Sequence, residues 1–335
     1  MPTKRRRPDG RRTARFAGLG IVATVILAQL TLGGASADPS APDGLIVYVN
    51  LPRSGPDLAN SDLWLATSRS NTDRRLTSTP EGENTPAWDP TGHRIAFSRG
   101  IQNPDGTTGA GLFTIDPSTG AETLLTSAGS FSQPSWSPDG SQLVFGGQLA
   151  SGIFDGRNNL FTMPSVGGAI TQVTSGPYGD TGASWSPTAG LIAFSSNRGG
   201  PGSQIWLMNV DGTNQHSIPT GLAYAQAPDW SPDGQWLVAV GTLVDGSQPE
   251  LFKFRADGSQ LTQVTGPSTE GMEDPTWSPD GSQILFHAYA PRGTNSQFNS
   301  ELMVVSVAGG QAVLLGPGVR HLRGQLFPDW QPLTP

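Results

Sequence analysis

Short apolar runs alternate with turn-forming residues along most of this chain, and they return at a nearly constant spacing. The runs are rich in β-branched and aromatic residues, which suit buried strands, and no stretch after residue 44 has helical periodicity. A pentapeptide, W-S-P-D-G or a variant of it, precedes most of these runs, and its tryptophans lie 48, 49, 45, 47 and 53 residues apart. The six tryptophans are Trp88, Trp136, Trp185, Trp230, Trp277 and Trp330. This repeat length predicts an all-β fold, a six-bladed β-propeller of four-stranded antiparallel blades.

The residues of the pentapeptide are typical of a tight turn between two strands. Proline sets φ for the second turn position, aspartate tolerates the third, and glycine accepts the left-handed conformation that follows. The same aspartate recurs in three copies, at Asp139, Asp233 and Asp280, so we interpret it as a turn residue rather than as a catalytic group or calcium ligand. The recurrent tryptophans are interpreted in the same way, as packing between neighbouring blades.

The two ends of the repeat predict how the ring closes. The first unit, residues 45–77, lacks a strand that ends in a motif tryptophan, and the last copy of the motif lacks the strands that follow it elsewhere. We therefore expect Phe327–Trp330 to lie beside Leu45–Val49 and to complete the first blade, which removes exposed sheet edges. One propeller domain would then extend over residues 45–333.

The N-terminus has the order of an export signal. Seven basic residues and one acidic residue precede an apolar stretch at residues 16–32, and Ala35-Ser36-Ala37 forms an A-x-A cleavage site. The sequence predicts a signal peptide at residues 1–37, a linker at residues 38–44, and an extracytoplasmic location in the periplasm, in the cell envelope or outside the cell. An uncleaved signal anchor is the alternative, and it would be the chain's only contact with a membrane.

Charge and composition exclude several function classes. Without the leader the chain has 13 basic and 26 acidic residues, a formal net charge of −13, so we expect no nucleic-acid partner. Cysteine is absent, which excludes thiol catalysis and cysteine-based zinc sites. No G-x-S-x-G segment is present, so nothing indicates a serine hydrolase. We expect a monomer with no cofactor.

The blade motif resembles that of the TolB-like family of WD-like β-propellers. The resemblance rests on x-P-x-W-S-P-D-G-x-x-I/L-x-F, which reads QPSWSPDGSQLVF around Trp136 and DPTWSPDGSQILF around Trp277, followed by an aromatic-aliphatic strand and a D-G turn. It covers nearly all of the chain after the leader. In TolB a small α/β domain precedes the propeller, and the propeller binds a lipoprotein at its mouth. Here a few residues separate the leader from the first strand, so we expect the propeller alone.

The resemblance and the repeat direct attention to the loops that join one blade to the next. These loops reach the mouth of the channel, and their residues differ between blades while the scaffold repeats, which is how a specific site is built on a repeated frame. The connection at residues 318–325 adds basic groups near the acidic ones. The candidate binding residues are Glu83, Asn84, Gln133, Asp180, Gln226, Glu273, Asp274, Arg320, His321 and Arg323.

Three functions remain open on the sequence. The favoured one is a non-enzymatic module of the cell envelope or extracellular space that binds a protein segment or a glycan at the channel mouth. The second is an extracytoplasmic hydrolase or lyase acting on carbohydrate, in which the carboxylates and His321 either serve as acid and base or hold a divalent metal ion. The third is a structural propeller whose mouth is only a solvated polar rim.

Overall fold

A computed structural model provides the structure of most of the chain after the leader. It describes residues 44–51, 60–67, 73–102, 108–150, 157–200, 202–268, 270–289, 300–315 and 324–332. The predicted signal peptide, nearly all of the linker, and Arg320, His321 and Arg323 lie outside these residues. Among the described residues, no helix has the length and apolar character needed to cross a membrane.

The described residues form 24 strands, most of them six to eight residues long. The first twelve are β1 (Leu45–Asn50), β2 (Asp62–Thr67), β3 (Arg74–Arg75), β4 (Glu83–Trp88), β5 (Ile95–Gln102), β6 (Thr108–Ile115), β7 (Glu122–Thr126), β8 (Gly129–Trp136), β9 (Gln142–Leu149), β10 (Asn159–Pro164), β11 (Thr171–Gln172) and β12 (Asp180–Trp185). The remaining strands are β13 (Leu191–Ser196), β14 (Gln204–Asn209), β15 (His216–Ser217), β16 (Tyr224–Trp230), β17 (Trp236–Thr242), β18 (Glu250–Arg255), β19 (Thr262–Gln263), β20 (Gly271–Trp277), β21 (Gln283–Tyr289), β22 (Glu301–Ser306), β23 (Val313–Leu314) and β24 (Gln325–Trp330).

The architecture is an all-β propeller of four-stranded antiparallel sheets, as the sequence predicts. Four sheets are separate, with the orders β24-β1-β2-β3, β12-β13-β14-β15, β16-β17-β18-β19 and β20-β21-β22-β23. The other eight strands, β4 to β11, form one eight-stranded sheet instead of the two blades expected. One parallel bridge between Ala110 of β6 and Ser130 of β8 joins its two halves.

The prediction that the C-terminal strand completes the first sheet is confirmed. Strand β24 pairs antiparallel with β1, and the register places Trp330 opposite Ile46 and Gln325 opposite Asn50. Gln331 extends the junction: its backbone N–H donates to the carbonyl of Leu45 at 2.7 Å, and its side-chain amide accepts from the Leu45 N–H at 3.1 Å.

The six strands that end in a motif tryptophan, β4, β8, β12, β16, β20 and β24, are called the inner strands. Each inner strand lies beside the next, and β24 lies beside β4, so they form a closed ring. Every motif tryptophan is buried, with between 5% and 9% of its surface exposed, and packs between neighbouring sheets. Trp330, for example, packs with Tyr48 of its own sheet and with Leu285 and Leu302 of the preceding sheet. This confirms the packing role predicted for the tryptophans.

The turn interpretation of the recurrent aspartates is also confirmed. Asp139 accepts hydrogen bonds from the Ser137 hydroxyl at 2.6 Å and from the Ser141 N–H at 3.0 Å, and Gly140 follows with φ +69°. These bonds lower the pKa of Asp139 to about 2, because they stabilise the ionised form. Asp233 and Asp280 make the corresponding bonds in their turns.

Candidate functional site

Each inner strand has a bulge three residues before its tryptophan. The residue at the bulge has a positive φ, and the pairing with the next strand shifts register there in the sheets of β4, β8, β12, β16 and β20. A bulge re-aims the side chains beside it, so successive residues no longer alternate between the two faces. The six bulge residues are Thr85, Gln133, Gly182, Ala227, Asp274 and Phe327, with φ between +48° and +57°.

The inner strands enclose a cavity of about 470 Å³ on the axis of the ring. The bulge residues, the residue before each tryptophan and the prolines of the W-x-P turns line it. The position before the tryptophan is occupied by Ala87, Ser135, Ser184, Asp229, Thr276 and Asp329. Two carboxylates therefore face the cavity at a position that is small or hydroxylated in the other units.

A circuit of hydrogen bonds connects the inner strands around this cavity. Asp329 accepts from the Trp88 N–H of β4 at 2.7 Å and from the Thr276 hydroxyl of β20 at 3.3 Å. Asp229 accepts in the same way from the Trp277 N–H of β20 at 3.0 Å and from the Ser184 hydroxyl of β12 at 3.0 Å. Each carboxylate thus joins its own strand to both neighbouring strands.

The remaining junctions of the circuit use uncharged groups. Gln133 N–H donates to the Thr85 hydroxyl at 2.9 Å, and the Gln133 side-chain oxygen accepts from the Gly182 N–H at 3.0 Å. The Trp185 N–H donates to the Ser135 hydroxyl at 3.1 Å. Gln133 therefore supports the circuit in addition to lining the cavity.

Burial changes the protonation of the two carboxyl groups in the circuit. Burial and the nearby charge of Asp229 raise the pKa of Asp329 to about 7, against the opposing effect of the Trp88 N–H. Burial likewise raises the pKa of Asp229, against the hydrogen bonds from Trp277 and Ser184. At neutral pH the cavity therefore holds carboxyl groups that bind a proton more tightly than exposed aspartate does.

Glu83 and Asp180 begin inner strands β4 and β12, and both are buried in ion pairs. Glu83 contacts the Nε of Arg99 at 2.7 Å and accepts from the Thr77 hydroxyl at 2.6 Å. The Arg99 guanidinium also binds Glu122 at 2.6 Å. Asp180 contacts the Nη2 of Arg198. These two acidic groups are engaged in ion pairs within the scaffold.

Replacement of Arg99 by methionine is expected to lower the free energy of unfolding by about 3–5 kcal/mol, because it leaves Glu83 buried without a counter-charge. The double variant Glu83→Gln/Arg99→Met is expected to recover most of that loss, since it removes both charges. Urea denaturation of the two variants measures the difference. An equal loss in both would assign the effect to lost packing of Arg99 on Phe97 and Phe113 instead.

A second group of predicted residues lies together at the end of β20 away from Trp277. Glu273 and Asp274 both face His287 of β21, with 3.6 Å between Glu273 Oε2 and His287 Nε2 and 3.4 Å between Asp274 Oδ2 and His287 Nδ1. The Tyr289 hydroxyl donates to Glu273 at 3.2 Å. On the neighbouring inner strand, Gln226 accepts a hydrogen bond from Tyr224, and burial, together with the charge of Glu273, raises the pKa of Tyr224.

The structure brings some predicted residues together and separates others. Gln133 and Asp274 line the axial cavity, whereas Glu83, Asn84, Asp180, Gln226 and Glu273 lie beyond its lining. Sequence reasoning missed Asp229, Asp329 and His287. The first two had a signal, because the residue before the tryptophan varies between units. The third had a weaker signal: counting regular pairs back from the S-P-D-G turn sets His287 opposite Asp274, and the bulge moves it opposite Glu273.

Comparison with known proteins agrees with the geometry. Residues 106–333, more than half of the chain, match the family model described as the TolB beta propeller domain. The chain therefore belongs to the TolB beta propeller domain family.

Two relatives and one solved structure illustrate the range of similarity. An uncharacterized protein of Agrobacterium fabrum is 32% identical over 155 residues, covering 42% of this chain and 50% of that protein. The Tol-Pal system protein TolB of Francisella tularensis is 27% identical over 226 residues, covering 67% of this chain and 48% of that protein. The crystal structure of TolB from Acinetobacter baumannii superposes with a TM-score of 0.68 at 19% identity, covering 87% of this chain and 67% of that one. The chain spans about half the length of these two curated relatives.

Proposed function

We propose that this protein is an exported, non-enzymatic binding module that recognises a segment of another envelope or extracellular protein at the channel mouth. The observation that carries the proposal is the difference between the units at equivalent positions of the inner strands. The scaffold repeats its tryptophan, proline and turn residues, whereas the residues at the bulge and just before it differ from unit to unit. Polar or charged groups stand there in some units, such as Gln133, Gln226, Glu273 and Asp274, and glycine, alanine or phenylalanine in others. A repeated frame with unrepeated polar groups converging on one axis is suited to specific recognition.

The charge of the site indicates the chemistry of the partner segment. Glu273 and Asp274 present carboxylates beside the axial cavity, and Glu273 keeps 43% of its side chain exposed. Gln226 and Gln133 add amide groups that donate and accept hydrogen bonds. A partner segment that carries a lysine or arginine and exposed backbone amides complements this set. Glu83 and Asp180 support the frame through their ion pairs and are not part of the contact surface we propose.

We further propose that the ring has six blades and that the chain acts outside the cytoplasm. The eight-stranded sheet contains two four-stranded halves, each with its own inner strand, tryptophan and bulge, and a single bridge joins them. The basic, apolar and A-x-A segments of residues 1–37 support export. The relationship to Tol-Pal system proteins supports an envelope protein as the partner.

Replacement of Glu273 by lysine is expected to abolish capture of the partner, because it places a positive charge where a basic segment would dock. The measurement is photo-crosslinking of tagged protein in the extracytoplasmic fraction, followed by mass spectrometry of the crosslinked peptide. Glu301→Lys is the matched control, since Glu301 is exposed on β22 and the charge change is identical. Capture that survives equally in both variants would refute the proposed surface, and a crosslinked glycan in place of a peptide would refute the proposed partner.

A further inference from the structure

We propose that Glu273, Asp274 and His287 form a binding site for one divalent transition-metal ion, of the type that prefers mixed nitrogen and oxygen ligands. The proposal concerns the metal ion alone and does not depend on the partner proposed above. It rests on the backbone geometry that brings the three side chains together, on their distances, and on the burial of the histidine.

The bulge explains how two neighbouring carboxylates reach the same histidine. In a regular strand Glu273 and Asp274 would point to opposite faces of the sheet. Asp274 instead has φ +49°, and the pairing with β21 shifts register between Glu273 and Thr276. Both carboxylates therefore lie against the imidazole of His287, the residue directly across from Glu273. Aspartate is among the residues that best tolerate this left-handed conformation.

The equivalent positions in the other units carry no such set. The cross-strand pairs that correspond to Glu273 and His287 are Asn84 with Ser98, Ser132 with Gly146, Thr181 with Ser195, Gln226 with Val240, and Leu326 with Val49. In two of these pairs the serine hydroxyl forms a hydrogen bond with a bulge residue: Ser98 with the Thr85 hydroxyl, and Ser195 as acceptor from the Ala227 N–H. The acidic and imidazole groups are therefore specific to one unit and are not required by the bulge itself.

Burial of the imidazole provides the second, independent observation. His287 is 1% exposed, and neither its Nδ1 nor the facing Asp274 Oδ2 has a hydrogen-bond partner of good geometry among the described residues. Buried polar atoms are almost always satisfied, because an unpaired one costs about 1–3 kcal/mol. The unpaired nitrogen and oxygen face each other across 3.4 Å. A metal ion between them would satisfy both atoms.

The distances between the candidate ligand atoms suit a transition-metal ion such as Zn²⁺. One ligand atom from each of the three residues can be chosen so that all lie within 4.8 Å of one another. Two ligand atoms that each lie about 2.0–2.1 Å from a tetrahedral Zn²⁺ are separated by roughly 3.4 Å. The separation of 3.4 Å between Asp274 Oδ2 and His287 Nδ1 is near this value. An imidazole ligand favours Zn²⁺ over Mg²⁺ and Ca²⁺, which bind through oxygen. Three protein ligands leave the remaining coordination to water or to a bound molecule.

The test titrates the purified protein with Zn²⁺ and Mg²⁺ by calorimetry after treatment with EDTA. We expect one Zn²⁺ per chain, no Mg²⁺ binding, and a visible absorption band when Co²⁺ replaces Zn²⁺. Glu273→Gln is expected to lower the Zn²⁺ affinity at least about tenfold, by comparison with the effect of disturbing groups around known metal sites. Glu301→Gln, which removes one exposed charge from the neighbouring strand β22, is expected to leave it unchanged.

His287→Gln removes the nitrogen ligand and is expected to abolish the Co²⁺ band. Because His287 is buried, this variant is compared with the parent protein only if the two unfold at the same temperature in EDTA. If they do not, Glu273→Gln decides whether the site binds Zn²⁺, since that side chain is partly exposed and its replacement disturbs the fold less. The proposal is overturned if no Zn²⁺ binds, if Glu273→Gln and Glu301→Gln lose affinity equally, or if Mg²⁺ binds as tightly as Zn²⁺. Any of these results would leave an ion pair between His287 and its carboxylates as the role of the cluster.

Discussion

Truncation after Gly324 is expected to abolish cooperative unfolding, because it removes strand β24 and opens the ring. The lost strand carries Trp330, whose burial alone is worth about 3–5 kcal/mol by analogy with large-to-small core substitutions. It also carries Asp329, which bonds β4 and β20, and its loss leaves β1 with an unpaired edge. Together these losses reach the whole stability of an ordinary domain, about 5–15 kcal/mol.

Circular dichroism during heating and size-exclusion chromatography measure this outcome. The truncated chain is expected to show no sharp melting transition and to elute as aggregate. Truncation after Pro332 is the control, since it retains β24 and the Gln331 bonds to Leu45. A chain ending at Gly324 that stays monomeric and melts at the temperature of the control would refute the role assigned to the closing strand.

Stability is expected to fall as the pH rises from about 4 to 7, through the carboxyl of Asp329. Burial raises the pKa of Asp329 in the folded chain to about 7, above its ordinary value of 3.8, so the folded chain keeps a proton that the unfolded chain loses. The resulting stabilisation is fully present below pH 4 and is lost as the pH passes through 7. At about 1.4 kcal/mol for each pKa unit, this contribution is at most about 4.5 kcal/mol.

Asp329→Asn is expected to remove that dependence, because the amide resembles the protonated acid. Its oxygen can accept from the Trp88 N–H and its nitrogen can donate to the Thr276 hydroxyl, so the circuit around the cavity is kept. Relative to the parent protein, the variant should gain stability between pH 5 and pH 8 in urea denaturation. Asp139→Asn is the control, since the pKa of Asp139 is about 2 and its difference from the parent should stay constant over that range. A constant difference for Asp329→Asn as well would contradict the shifted pKa.

The fold was predictable because its signals are local and repeated. The residues of the W-S-P-D-G motif favour one turn conformation, and Asp139 and Gly140 adopt that conformation. Closure by residues 327–330 followed from counting strands against tryptophans, and the pairing of β24 with β1 confirms it. The bridge between Ala110 and Ser130 was not predictable, because it depends on how closely two small-residue strand ends approach in space.

The candidate site was only partly predictable, since its geometry depends on the bulges. Glu273 and Asp274 were identified from their place before a tryptophan, but the sequence gives no sign that a positive φ turns both toward His287. Glu83 was identified in the same way, yet Arg99 holds it within the scaffold. In that case an arginine sixteen residues later decides whether a carboxylate is available to a ligand or is part of the frame.

The pairing of β1 with β24 also constrains the order in which the molecule can be made. A ribosome delivers the N-terminal strands first, and domains begin to fold while synthesis continues. The first sheet cannot gain its fourth strand until nearly the whole polypeptide has emerged, about 280 residues later. During that interval Tyr48 and its neighbours lack their final cover, so the nascent chain stays incomplete and open to chaperones. The chain can therefore become fully compact only when its synthesis is nearly complete.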